Sequence, residues 1–516
     1  MTVRMTAPVW RSNAEPSGAS FRANPSAMSP ANSSLAEYSG TVFKKREENP
    51  MKYLLRCLFT SLFIASLLAM PFTSAEGKIK PRKLASVWQN YSSIAVDPAG
   101  IPHVVYQGAD YHLYHAWYDG GRWQHELVDA SSDAGWGNSI AIDVQGNLHV
   151  SYGANRGLGA LKLVYAYLNG NQWQITDLGV DGSDSVMKLD QAGQPHIAYG
   201  GSNTVQYAWH DGTGWHFEDT GLTSGPYRHD FVLDSDDHAH LAFSRNSDGY
   251  YYATNKDGYW ESTLLDAGDS TPVAIGVDSQ NHPHVAAGTA GSGMYYRYDG
   301  TNWTSEMILD PADTGNAPID GLALAIDGDD HAHLLMAFYV GIEVSVYAFN
   351  NGLDWTAGVV DKKDAGFYPS LVLDPGGVAY GTYATAMHKD KTQAKWVRIA
   401  LPDLAGTWTG VTVAEDGGGW NVAGTLAIRN NGLEKAAKHS VLLYLSDDAE
   451  FDEADTLLPV ALKVKRLKPE ATVNVPVDFQ YNTSLAGKYL IAVIDPEMLT
   501  FDRNMIDNIV TVLLEP

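Results

Sequence analysis

The stretch that decides the fold is Ser139–Tyr152, SIAIDVQGNLHVSY, together with AYLNGNQW at 166–173. Its first half runs apolar to Asp143, breaks at Gly146-Asn147 and resumes at His149, the pattern of two short strands joined by a tight turn. The second segment sets an aromatic strand before Asn-Gly, a pair that tolerates positive φ and suits a hairpin, and then a strand carrying Trp173. One such unit therefore holds about four short strands.

The same text recurs on both sides. SIAVDPAGIPHVVY precedes it, and VMKLDQAGQPHIAY, DFVLDSDDHAHLAF, AIGVDSQNHPHVAA, ALAIDGDDHAHLLM and SLVLDPGGVAYGTY follow. The shared aspartates are Asp97, Asp143, Asp190, Asp234, Asp278, Asp327 and Asp374, spaced 44 to 49 residues apart. Trp123, Trp173, Trp215, Trp260, Trp303 and Trp355 close the intervening hairpins. A four-stranded unit at this period is the signature of a β-propeller blade. Seven aspartates predict a seven-bladed β-propeller over residues 76–402. Blade seven lacks the hairpin and its Trp, so Lys80–Trp88 is expected to supply its outer strand and close the ring.

The repeat resembles the bacterial-neuraminidase-repeat (Asp-box) propellers, which include sialidase-like and lectin-like members. The match lies in architecture. An Asp box reads SxDxGxxW, whereas here Asp or Asn adjoins the Gly and no Ser stands at the start, so the resemblance implies the fold and not sialidase activity.

Beyond Pro402 the repeat stops and alternating strands take over, which predicts an immunoglobulin-like β-sandwich over 403–516 in an all-β protein. Asn430-Asn431-Gly432, Tyr444-Leu445-Ser446 with its acidic loop, Gly487-Lys488-Tyr489, Asp495-Pro496 and Asp507-Asn508 resemble the bacterial cell-adhesion-related (CARDB) domain. That resemblance implies an accessory module of cell-surface and secreted proteins.

Residues 1–50 are rich in Ser, Ala, Asn and Pro without apolar periodicity and read as a disordered or non-native extension. From Met51 to Ala75 a basic start, an apolar run and a small-residue site resemble a secretory signal peptide, which predicts a secreted or cell-surface protein. The apolar run falls short of the about 20 residues a spanning helix needs, so no transmembrane segment is expected in the mature chain. Cys57, the one cysteine, lies in this leader, so no disulfide is available to the rest. A formal net charge of −25 argues against nucleic acid and anionic membranes as partners. Polysaccharide or a cell-surface protein fits better.

His103, His149, His196, His240, His284 and His333 each follow their aspartate by six residues. A residue present in nearly every blade serves the blade, because one ligand cannot occupy six equivalent places. Function is expected where blades differ, on the loops that join one blade to the next and those after the His strand. These loops offer Trp136, Asn138, Arg156, Tyr227, Arg228, His229, Arg245, Asn246, Phe367, Tyr368 and His388. Aromatic rings stack on sugar faces and Arg pairs with carboxylates, so Trp136, Arg156, Tyr227, Arg228, Arg245 and Tyr368 are candidate glycan contacts. The segment 227–253, YRHDFVLDSDDHAHLAFSRNSDGYYYA, resembles repeats of propeller-type ulvan lyases. In a lyase, Tyr227 or His229 would abstract the proton beside a uronate that Arg245 neutralises.

No certain cofactor is implied. Calcium is the one metal the acidic loops suit, with Asp447, Asp452 and Asp455 as weak candidate ligands. GxSxG, HExxH, phosphate-loop and CxxC motifs are absent from the sequence. The leading expectation is a secreted recognition protein without catalytic activity. The alternative is a carbohydrate-active enzyme, a polysaccharide lyase or, less directly, a glycoside hydrolase.

Overall fold

A computed structural model describes residues 80–157, 159–201, 203–223, 229–245, 248–268, 272–288, 293–309, 317–339, 343–362, 368–385 and 392–515. Every regular element among them is a β-strand, and no helix is long and apolar enough to cross a membrane.

The strands group as the repeat predicts. Antiparallel four-stranded sheets begin at the inner strands Trp136–Ile142, Ser183–Leu189, His229–Leu233, Val273–Val277 and Ile319–Ile326. A seven-stranded sheet holds the remainder, because the strand Arg82–Val96 serves two blades. Residues 92–96 pair with Pro102–Gly108 as the inner strand of blade one, while residues 82–87 pair with Thr392–Ile399 as the outer strand of blade seven. Residues 80–88 were expected to make this closure, and the register Arg82↔Trp396 to Val87↔Thr392 makes it. Each inner strand touches the next, and Ser370–Leu373 returns to Arg82–Val96. Among the described residues the result is a closed ring of four-stranded units, a β-propeller.

Repeated side chains hold it. In every unit the aspartate accepts a backbone N–H from the turn it opens, as Asp143 Oδ1 does from Gln145 N (3.0 Å) and Asn147 N (2.7 Å). The third residue after it is left-handed in all seven, occupied by Gly100, Gly146, Gly193, Asp237, Asn281, Asp330 and Gly377. Only Gly, Asn and Asp adopt that conformation cheaply. The three with side chains also reach the preceding blade. Asp237 accepts from Gln191 N (2.9 Å), Asn281 from Ser235 N (3.0 Å) and Asp330 from Ser279 N (2.7 Å). The acidic turns thus act as bridges between blades.

Residues Leu404–Asp416, Gly419–Asn430 and Thr472–Tyr481 form one further sheet, and Thr456–Val464, His439–Ser446, Tyr489–Ile494 and Ile509–Leu513 another. Leu404, Leu426 and Val477 from the first share one apolar core with Val441, Leu443, Leu458 and Leu490 from the second. Two sheets over one core make a β-sandwich. The sandwich is fixed to blade six. Phe501 packs edge-on against Phe349 with ring centroids 5.3 Å apart. Met505 N donates to Asn351 O (2.9 Å), and Arg503 Nη2 reaches Asp329 Oδ2 (2.6 Å) and Asp327 Oδ2 (3.3 Å).

Candidate functional site

The two ends of the ring must be separated first. At the end that carries the repeat aspartates, each repeat His turns Nε2 toward its aspartate, and in blades two to six Nδ1 meets the hydroxyl of a Tyr on the third strand. His240 lies 3.1 Å from Asp234 Oδ2 and 2.6 Å from Tyr252 OH, and His333 lies 3.2 Å from Asp327 Oδ2 and 2.6 Å from Tyr347 OH. His149 and His196 use Tyr165 (2.7 Å) and Tyr207 (2.5 Å), and His284 uses Tyr295. In blade one His115 replaces the Tyr, 2.9 Å from His103, and passes its own Nδ1 to Glu126 (2.9 Å). Burial holds His149, His196, His240, His284 and His333 below the ordinary value, His284 at about 4, which favours the neutral ring. The Trp of the next blade packs against the same Tyr, as Trp260 does on Tyr207 and Trp355 on Tyr295. Asp, His, Tyr and Trp therefore form one structural chain, repeated around the ring.

At the opposite end the blades differ. Trp136 starts the inner strand of blade two, and its ring lies 5.6 Å from that of Tyr91, which in turn lies 4.9 Å from that of Tyr368 before blade seven. Tyr91 is buried, Trp136 half-buried and Tyr368 exposed at 39%. Asn138 Nδ2 donates to Gly135 O (2.8 Å) and Tyr91 O (3.4 Å), which ties the strand starts together. Asp184, at the start of blade three, is next in the ring. A Cβ on Gly137 would stand 2.2 Å from the Asp184 Cα, so glycine is required for that approach. Asp184 and Tyr368 both have positive φ, at 51° and 54°; for the tyrosine this is strain, which gathers at binding sites. Burial lifts the Asp184 carboxyl to about 6 against hydrogen bonds from Ser183 and Tyr91. His229 begins blade four with its ring facing the backbone of Ala198 and Asp184, and burial lowers it to about 4.

The sequence candidates divide on this map. Trp136 and Tyr368 come together through Tyr91. His229 and Arg245 stand at one end of adjacent strands, since His229 pairs with Phe243 in register. Arg245 is engaged: its guanidinium lies 4.1 Å over Tyr251, donates to Thr223 O (3.1 Å) and sits 3.7 Å from Asp248. Arg156 is turned inward, 2.8 Å from buried Asp129 and bonded to Ser131, where it clamps blades one and two. Tyr227, Arg228, Asn246, Phe367 and His388 lie outside the described residues. Asp447, Asp452 and Asp455 do not converge. Asp447 pairs with Lys488, while Asp452 Oδ1 and Asp455 Oδ2 accept turn N–H groups at 2.7 and 2.9 Å. Among the described residues, Asp234, Asp236 and His238 come close enough to share an ion. Tyr91 and Asp184 were missed from sequence. The signal available for them was their place, six residues before the repeat aspartate like Tyr368, a position whose residue changes between blades.

No protein-family model and no curated protein matches the chain. Among solved structures it is similar to the BP39L lectin from Burkholderia pseudomallei, with 11% identity over 60% of this chain and 96% of that one and a TM-score of 0.47. The six-bladed fungal lectin from Aleuria aurantia gives 14%, 54%, 96% and 0.39 on the same measures. The polysaccharide lyase Uly1 gives 11%, 64%, 95% and 0.39.

Proposed function

We propose that the protein is a secreted or cell-surface recognition protein that binds polysaccharide across the variable end of the ring. The observation that carries this reading is the aromatic group Tyr91, Trp136 and Tyr368, with an exposed ring at its edge and the Asp184 carboxyl beside it. Aromatic faces take the apolar face of a pyranose, and a neighbouring carboxyl orients its hydroxyls. The leader over 51–75, the 76–402 and 403–516 division and the CARDB-like character of the sandwich belong to the same proposal: the module would space or attach the ring outside the cell. Calcium stays a proposal of lesser weight, with the Asp234 turn its best-placed site.

The test is affinity electrophoresis and titration calorimetry against neutral and uronate-containing polysaccharides. Binding by the native protein with loss in Trp136→Ala and Tyr368→Ala supports the reading. Binding that survives both substitutions refutes the site. A lyase is favoured by one observation, the neutral His229 ring lying against the Asp184 backbone. Release of unsaturated sugar absorbance that depends on His229 would establish it.

A further inference from the structure

The junctions between blades repeat a second device, and one junction departs from it. Where the outer strand bulges at the variable end, blades one, two, four and six place Asp129, Asp181, Asp266 and Asp361. At two of these junctions the next blade answers with the tyrosine nine residues beyond its repeat aspartate. Tyr152 OH donates to Asp129 Oδ2 (2.7 Å) and Tyr383 OH to Asp361 Oδ2 (3.0 Å). A cation completes each, Arg156 Nη2 at 2.8 Å and Lys395 Nζ at 2.7 Å. The carboxylate thus sits between a phenol and a positive charge.

The seam between blades seven and one has the tyrosine without the acid, and the lysine that lines its cavity, Lys83, comes from the outer strand itself. The outer strand here is the closing strand, and the bulge between Lys83 and Ala85 puts Ala85 at the register position of Asp129 and Asp361. Tyr106 is the equivalent tyrosine. Its buried hydroxyl turns instead to His125 Nδ1 (3.1 Å). Lys83 Nζ donates to Ser86 Oγ (3.2 Å), and an ammonium carries two further N–H groups for a ligand in the gap. Between these groups opens a cavity of about 530 Å³ lined by Lys83, Ala85, Ser86, Tyr106, Tyr114 and His125. Asp110, on the same wall, is already satisfied by Tyr114 OH (2.7 Å) and by His112 (3.3 Å). Burial and the neighbouring Tyr114 and Asp110 push the ionisation of Tyr106 up, so its hydroxyl remains a donor.

We propose that this seam cavity binds an organic carboxylate the size of a hexuronic acid, its carboxylate taking the place between Tyr106 and Lys83 that Asp129 and Asp361 fill at the other junctions. The cavity is much larger than a carboxylate, and the Tyr114 side gives the rest of the ligand an aromatic wall, which fits a pyranose ring. The site is distinct from the aromatic group at Trp136 and does not rest on it.

The experiment is calorimetric titration of the full chain with glucuronate, methyl glucoside and acetate. Glucuronate is expected to bind at least tenfold more tightly than either of the others, since hydrogen bonds to a charged group are the strong ones. Ala85→Asp supplies the missing acid internally. It should abolish glucuronate binding and raise the thermal midpoint, and Tyr106→Phe should weaken binding about tenfold. Unchanged binding in Ala85→Asp, or in Tyr106→Phe should the first variant not fold, overturns the proposal. Methyl glucoside binding as well as glucuronate overturns the carboxylate, and acetate doing so overturns the sugar acid. Trp136→Ala should leave the seam unaffected, which separates failure here from failure at the variable end.

Discussion

The two ends of the ring are built by opposite rules. At the aspartate end five blades set Asp, His and Tyr in one arrangement, and blade one keeps it with His115 in place of the Tyr. At the other end Tyr91, Asp184 and Tyr368 share one position, six residues before the repeat aspartate, but the residue there changes from blade to blade, and Trp136 stands one place earlier in blade two. A repeated polar residue in such a ring is spent on stability, and an unrepeated one is available to a ligand.

That contrast breaks most visibly at its stable end. His333→Ala deletes a fully buried ring and removes the partner of Tyr347 OH, so it should cost about 2–4 kcal/mol in urea unfolding without changing polysaccharide affinity. The same histidines set an acid limit. Their folded values lie below the unfolded 6.5, so their contribution is complete above pH 6.5 and is lost as pH falls toward about 4, the value of His284. His284→Gln should flatten that loss. At the variable end the signs reverse: Trp136→Ala should lower polysaccharide affinity about tenfold while stability moves by about 1 kcal/mol or less.

Smaller effects sharpen the comparison. Asp184 is raised in the folded protein, so its cost is absent below pH 4 and grows as pH climbs to about 6. Asp184→Asn should remove that slope, seen as a difference in midpoint between pH 4 and pH 7. Arg503→Ala should cost about 0.5 kcal/mol, because Asp327 keeps His333 and its turn amides, yet it should speed proteolysis between ring and sandwich.

The ring was legible because its bonds are local and periodic. Asp143, Gly146 and His149 lie within seven residues, and their recurrence predicts the unit, the left-handed turn and even the closing strand. The candidate site was legible only in part. Trp136 and Tyr368 are 232 positions apart in sequence, and what joins them is Tyr91, a residue whose role depends on ring closure. Arg156 looked available for the same reason it is not: sequence shows a cation in a loop, whereas the buried Asp129 that holds it comes from the blade before. Side-chain partners across a junction have no periodic trace.

The closing strand also has a consequence in time. Residues 82–87 are made early, yet their partners at 392–396 are made after all six intervening blades. Until then they form an unpaired edge, the kind of backbone that recruits any passing strand. The entropy of so long a closure grows only slowly with length, so what threatens assembly is exposure rather than distance. A chain that emerges unfolded must keep this segment from pairing wrongly through most of its own synthesis, and the charged residues Arg82 and Lys83 at its start act as gatekeepers against that error.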